Sequence, residues 1–119
     1  MRVLVTDDSR VMRQIVIRTL RQAGFEWEVL EAPDGAAGLA VVREQDPDLV
    51  LSDWNMPEMT GIELLRAMRG AGIDTPFGFV TSEGSAEMRA QAEAEGALFL
   101  IAKPFSAEVF RDTIEPFLA

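Results

Sequence analysis

The chain has 119 residues, of which 48% are hydrophobic, so it is long enough to form one domain with an ordinary buried core. Its 20 acidic residues outnumber its 11 basic ones, and the net charge of −9 opposes binding to nucleic acid or to an anionic membrane surface. The absence of cysteine and histidine excludes disulfides, thiolate metal sites, the commonest general base and the commonest zinc ligand.

Five short apolar runs, rich in Val, Leu, Ile and Phe, recur along the chain, as is typical of buried parallel strands. The predicted strands are Arg2–Thr6, Glu28–Glu31, Leu49–Ser52, Phe77–Thr81 and Leu98–Ala102. Gly78 lies inside the fourth run, where a glycine weakens a strand, and close packing of a neighbour is the only reason we can offer for it.

Segments with apolar residues at helical spacing follow the strands. The first helix is predicted to begin after Asp8-Ser9, either of which could cap it, and to end at Gly24. The other predicted helices start at Asp34 and run toward Gln45, follow Gly61, extend from about Ser85 to Glu95, and run from Ser106 to Leu118, where Pro116 can end the last one early. Strands and helices in alternation predict an α/β fold with a parallel sheet and helices on both faces.

Polar side chains stand where the predicted strands end. Asp7 and Asp8 follow the first strand and Asp53 follows the third, while Thr81 ends the fourth and Lys103 follows the fifth. Ligands of open α/β sheets bind beyond the carboxyl ends of the strands. If the first and third strands are neighbours, three carboxylates therefore meet in one small pocket, with a hydroxyl and an ammonium beside them.

Three carboxylates within a few ångströms cannot all stay ionised without a counterion, so either a pKa rises or a cation binds. A set of hard oxygen ligands suits Mg²⁺, which needs only one or two carboxylates and keeps several waters. Once Mg²⁺ is bound, a phosphoryl group is the natural incoming ligand. Asp53 could attack phosphorus, with Lys103 and the Thr81 hydroxyl holding the phosphoryl oxygens.

Four motifs carry a family resemblance: the acid pair Asp7-Asp8, the stretch SDWNMPEMTG around Asp53, Thr81 at the end of a strand, and KPF at Lys103. In this order and at these positions, the sequence resembles the receiver domain of two-component response regulators, nearest in pattern to single-domain chemotaxis-type regulators. The resemblance covers the whole chain. It implies a flavodoxin-like (βα)5 fold, a doubly wound five-stranded parallel sheet with strand order 2-1-3-4-5.

The resemblance also implies roles for individual residues. Asp53 would accept a phosphoryl group from a sensor histidine kinase or phosphotransfer protein. Asp8, Asp53 and the main-chain carbonyl of Asn55 would bind Mg²⁺, with Asp7 helping through water. Thr81 and Lys103 would assist the transfer. The sequence departs from the family at Leu100, where most members have Tyr or another aromatic residue.

Other interpretations were weighed against this one. Asp7 and Asp8 could simply be helix caps with no role in a site, although a cap needs only one acid and two stand here. A pseudo-receiver that never accepts phosphate is the main alternative. A phosphohydrolase with an aspartyl nucleophile usually carries a second aspartate two residues on as general acid, and Asn55 stands there instead. Flavin binding is disfavoured because the acidic loop after the first strand would repel the flavin phosphate.

Residues 1–119 are predicted to form a single receiver domain. With no signal peptide and no apolar stretch near the roughly 20 residues that span a bilayer, a cytoplasmic location is expected. The domain would catalyse only its own phosphorylation and slow dephosphorylation, and would act through contacts with an unidentified output protein. It would bind neither nucleic acid nor membrane, and it would be a monomer or weak dimer.

Overall fold

The structure, a computed structural model, describes residues 1–118, which fold into a parallel sheet flanked by helices. The strands are β1 (Arg2–Thr6), β2 (Glu28–Ala32), β3 (Leu49–Ser52), β4 (Phe77–Thr81) and β5 (Phe99–Ala102). The helices are α1 (Arg10–Gln22), α2 (Gly35–Gln45), α3 (Gly61–Gly70), α4 (Ala86–Ala94) and α5 (Ala107–Ile114), followed by a 3-10 helix at Glu115–Phe117. Within residues 1–118, no helix has the length and apolarity that crossing a bilayer requires.

The strand order is β2-β1-β3-β4-β5, and all neighbouring strands are parallel, which confirms the predicted flavodoxin-like fold. The order reverses at β1, which pairs with β2 on one side and β3 on the other. The strands end close together along the same edge: Thr6 of β1 is opposite Ser52 of β3, and Thr81 of β4 is opposite Ala102 of β5, while β4 extends two residues beyond β3 because Ser52 is opposite Phe79. The residues that follow these strands therefore meet at one edge of the sheet.

Each face of the sheet has its own apolar core, because successive strand residues point to opposite faces. One core packs against α2, α3 and α4, and its strand residues include Leu4, Val50, Phe77, Phe79 and Leu100. The other packs against α1 and α5 and includes Val3, Val5, Leu51 and Val80. Because both faces are covered, the central strands are rigidly held, and so are the side chains at their ends.

The structure settles three local details of the sequence prediction. Of the two candidate caps, Ser9 begins α1, since its Oγ accepts the N–H of Met12 at 3.2 Å. The last helix ends at Ile114 rather than Leu118, and the following proline lies in the 3-10 helix. Gly78 is explained by a neighbour in β5: a Cβ there would collide with the ring of Phe99.

Candidate functional site

The acidic pair, the third aspartate and the lysine meet at the carboxyl edge of the sheet, beside the point where the strand order reverses. One carboxylate oxygen from each of Asp7, Asp8 and Asp53 lies within 4.8 Å of the other two. Asp7 is only 3% exposed, Asp53 is half-buried, and Asp8 is exposed. The predicted convergence of three carboxylates is therefore present. None of the three caps α1, so capping does not account for the acid pair.

These residues could hold a metal ion. The three carboxylates offer hard, anionic oxygens within reach of one cation, and the open side toward Asp8 leaves space for water ligands. This donor set fits Mg²⁺, which prefers oxygen ligands and retains water. Asn55, the fourth predicted ligand, is exposed, and its side-chain amide donates to Glu83 Oε1 at 3.3 Å. The role of its main-chain carbonyl stays a prediction.

Lys103 supplies the positive charge at the site. Its Nζ lies 3.5 Å from Asp7 Oδ2 and 3.9 Å from Asp53 Oδ2, and its side chain is 17% exposed. It follows β5 directly, precedes a cis peptide bond to Pro104, and is the only lysine in the chain. One ammonium therefore faces two carboxylates, which leaves a net negative charge for a cation to balance.

The Asp53 carboxylate is held from both sides. Its Oδ1 accepts the main-chain N–H of Trp54 at 2.8 Å, and its Oδ2 faces Lys103. Burial raises the pKa of Asp53 above its ordinary value and the charge of Asp7 adds to the rise, while Lys103 and the hydrogen bond from Trp54 oppose it. A proton and a bound cation would therefore compete for this carboxylate.

The Thr81 hydroxyl lies at the same edge. The residue is fully buried, its Oγ accepts the N–H of Glu83 at 3.4 Å, and its carbonyl accepts the N–H of Lys103 at 2.8 Å. The hydroxyl is near enough to Asp53 to lower the pKa of that carboxyl slightly. The structure thus gathers all five strand-end residues, two of them bonded directly through the main chain.

Two supporting residues were not singled out by the sequence. Arg13 donates from Nη1 to the main-chain carbonyl of Asp7 at 2.7 Å, and its Nε lies 3.1 Å from Glu31 Oε1, so it ties the acidic loop to β2. A Cβ at Gly61 would collide with the main-chain carbonyl of Asp53. The glycine was visible in the sequence as a loop residue, but this contact depends on the folded path of the chain.

Comparison with known proteins agrees with this geometry. The family model described as "Response regulator receiver domain" matches residues 3–115. The chain belongs to the response regulator receiver family. It is 38% identical over 117 residues to the chemotaxis protein CheY of Pseudomonas aeruginosa, covering 97% of this chain and 94% of that one. A CheY homologue of Campylobacter jejuni is 37% identical, with 99% and 92% covered.

A solved receiver structure has the same fold. The chemotaxis response regulator CheY4 of Vibrio cholerae superposes with a TM-score of 0.84 at 38% identity, covering 97% of this chain and 96% of that one. This receiver domain is therefore CheY-like in sequence and in fold. The expected relation to single-domain chemotaxis-type regulators is confirmed.

Proposed function

We propose that this receiver domain is a signalling switch that accepts a phosphoryl group on Asp53 from a phosphohistidine of a sensor kinase or phosphotransfer protein. The observation that carries the proposal is the cluster of Asp7, Asp8 and Asp53 around the single ammonium of Lys103. A cation-binding cluster that contains a half-buried carboxylate is what phosphoryl transfer to an aspartate requires.

The transfer forms one bond and breaks one. A carboxylate oxygen of Asp53 bonds to phosphorus, the N–P bond of the phosphohistidine breaks, and the imidazole leaves with its electron pair and takes up a proton. Mg²⁺, held by Asp7, Asp8, Asp53 and the Asn55 carbonyl, would offset the negative charge of the phosphoryl oxygens. The hydrogen bond from Trp54 fixes the rotation of the nucleophile.

Lys103 and Thr81 act on the charge that develops during transfer. Lys103 Nζ already lies beside Asp53 Oδ2 and would move from that carboxylate to a phosphoryl oxygen. The buried Thr81 hydroxyl would donate to another. Lys103 needs only a small movement, whereas the Thr81 hydroxyl, which accepts the N–H of Glu83 at rest, would have to turn toward the phosphoryl group. The signal would leave through changed contacts with an output protein.

The test is incubation with acetyl phosphate and Mg²⁺ followed by intact-protein mass measurement. We expect a transient gain of one phosphoryl group that is absent in Asp53→Asn and in the presence of a chelator. Asp112→Asn, which changes an exposed aspartate on α5, serves as the matched control and should be labelled normally. A folded wild-type protein that gains no mass would instead favour the pseudo-receiver.

A further inference from the structure

The guanidinium of Arg89 joins the loop between β4 and α4 to the edge strand β5. Its Nη1 donates to the main-chain carbonyl of Leu100 at 2.9 Å, and its Nε donates to the carbonyl of Gly84 at 3.4 Å. A single side chain near the start of α4 therefore bridges two main-chain carbonyls from different parts of the fold. Arginine suits this position because its planar fork holds several donors in fixed directions.

The loop lies directly on β5 beneath this side chain. A Cβ at Gly84 would lie 2.9 Å from Cβ of Ala102, 3.4 Å from Arg89 Nη2 and 3.7 Å from a methyl group of Leu100. The main chain at Gly84, although exposed, thus lies close to both Ala102 of β5 and the guanidinium. Any displacement of the loop changes the distance from the Gly84 carbonyl to Arg89.

The same loop is attached to the phosphorylation site. The N–H of Glu83 donates to Thr81 Oγ at 3.4 Å, and the Glu83 carboxylate accepts from Asn55 at 3.3 Å. Both distances are at the long end for hydrogen bonds, whereas the bond from Arg89 to Leu100 is of ordinary length. The bond from Arg89 to Gly84 is equally long, but the guanidinium that makes it is anchored to β5 by the bond to Leu100, so Arg89 ties the loop to the edge strand.

We propose that Arg89 is a positioning residue that holds the β4–α4 loop in its resting position and thereby opposes the turning of Thr81 toward a phosphoryl group on Asp53. The inference rests on the proposed function. When the Thr81 hydroxyl turns, the N–H of Glu83 that it accepts is displaced with it, and Gly84 is the next residue along. The Gly84 carbonyl then moves away from the position in which it accepts the hydrogen bond from Arg89.

Linkage fixes the direction of the effect. If a phosphoryl group weakens the Arg89 bonds, then removal of those bonds strengthens binding of the phosphoryl group by the same factor. The Gly84 bond is long and the side chain is largely exposed, so we expect a gain of about three- to tenfold.

The experiment measures the affinity of the phosphoryl mimic beryllofluoride, with Mg²⁺, by calorimetry. Arg89→Met keeps the length and the apolar stem of the side chain but removes its donors, and we expect it to bind the mimic about three- to tenfold more tightly than wild type. Arg89→Lys, a point donor that cannot bridge both carbonyls, should fall between the two. Arg111→Met on α5 is the matched control and should leave the affinity unchanged.

A readout on the wild-type protein accompanies the affinities. The Nε–H resonance of Arg89 should shift and exchange faster when the mimic binds, because its bond to Gly84 is released. If wild type and Arg111→Met both bind the mimic and Arg89→Met binds it no more tightly than wild type, the role proposed for Arg89 is overturned and the proposed function stands. Failure of wild type and Arg111→Met to bind the mimic would overturn the proposed function, and this inference with it.

Discussion

Burial of Asp53 disfavours its ionised form, and this makes the stability of the folded domain depend on pH. A carboxyl whose pKa is raised on folding stabilises the folded state fully below its unfolded pKa of about 4, and that contribution is lost as pH rises through the folded pKa. At neutral pH without metal, the ionised Asp53 therefore destabilises the domain.

We predict that Asp53→Asn raises the melting temperature by a few degrees at pH 7 in the presence of a chelator. The difference from wild type should shrink as pH falls and vanish below about pH 4, where the wild-type carboxyl is also neutral. Thermal unfolding followed by circular dichroism across this range is the measurement, with the exposed Asp74→Asn as control. A difference that persists undiminished at pH 3 would contradict the electrostatic explanation.

Trp54 reports on the same carboxylate. Its main-chain N–H binds Asp53, and its indole packs on Phe79 with ring centroids 4.7 Å apart. We predict that Mg²⁺ changes the intrinsic fluorescence and that Trp54→Phe removes most of the change. The control is Trp27→Phe: this indole stacks on Phe25 beside the start of β2, at the opposite edge of the sheet, and its removal should leave the change intact. An unresponsive wild-type titration would argue against metal at this site.

At the scale of elements, the start of α3 is fixed by a capping box. Thr60 Oγ1 accepts the N–H of Glu63 at 3.3 Å, and the Glu63 carboxylate accepts the N–H of Thr60 at 3.0 Å. The Glu63 carboxylate also accepts the Thr60 hydroxyl, and the bonds that it accepts from the main-chain N–H and the hydroxyl of Thr60 lower its pKa. Because Gly61 touches the Asp53 carbonyl just beyond the cap, the capping box also anchors the far end of the loop that follows Asp53.

We predict that Thr60→Ala lowers the free energy of unfolding by about 1 kcal/mol, the usual contribution of an N-cap side chain. Urea unfolding at pH 7 measures it, and Thr113→Ala, a half-buried threonine within α5, is the control. A loss below about 0.3 kcal/mol would show that packing, not the cap, determines where α3 begins.

Element boundaries show what a sequence can predict here. Helix starts agreed with the structure at Asp34, Ser85 and Ser106 because short polar residues mark them locally. Hydrophobic runs located the strands for the same local reason. The fit of Phe99 against Gly78 joins two strands, and the contact of Arg13 with the Asp7 carbonyl depends on how α1 packs. Such contacts form only after folding, so the sequence indicated a close neighbour at Gly78 without identifying it, and gave no sign of the contact made by Arg13.

For the whole molecule, the strand order has an electrostatic consequence. Placing β1 beside β3 brings three carboxylates together in a domain that already carries a net charge of −9. Without a bound cation, their mutual repulsion opposes folding. The site residues were predictable from the sequence because the carboxyl ends of parallel strands lie at one edge of the sheet, whereas the distances among these residues depend on register.

We predict that Mg²⁺ raises the melting temperature, since a ligand at one hundred times its dissociation constant stabilises the folded state by about 2.7 kcal/mol. Asp8→Asn should stabilise the metal-free protein and weaken the response to Mg²⁺, because it removes one of the repelling charges. Differential scanning calorimetry with and without Mg²⁺ tests both, with Asp112→Asn as control. A less stable metal-free Asp8→Asn protein would indicate that repulsion does not dominate at that position.

The presence of a single lysine gives this domain an unusual chemical simplicity. Apart from the N-terminal amine, Lys103 carries the only primary amine in 119 residues, and that amine sits between two carboxylates at the proposed site of phosphoryl transfer. An amine-directed reagent thus has one internal target, and the extent of its reaction reports on the surroundings of that one nitrogen. Metal binding or phosphoryl transfer would change the yield of one modified side chain, so occupancy of the site could be followed by mass without substituting any residue of the chain.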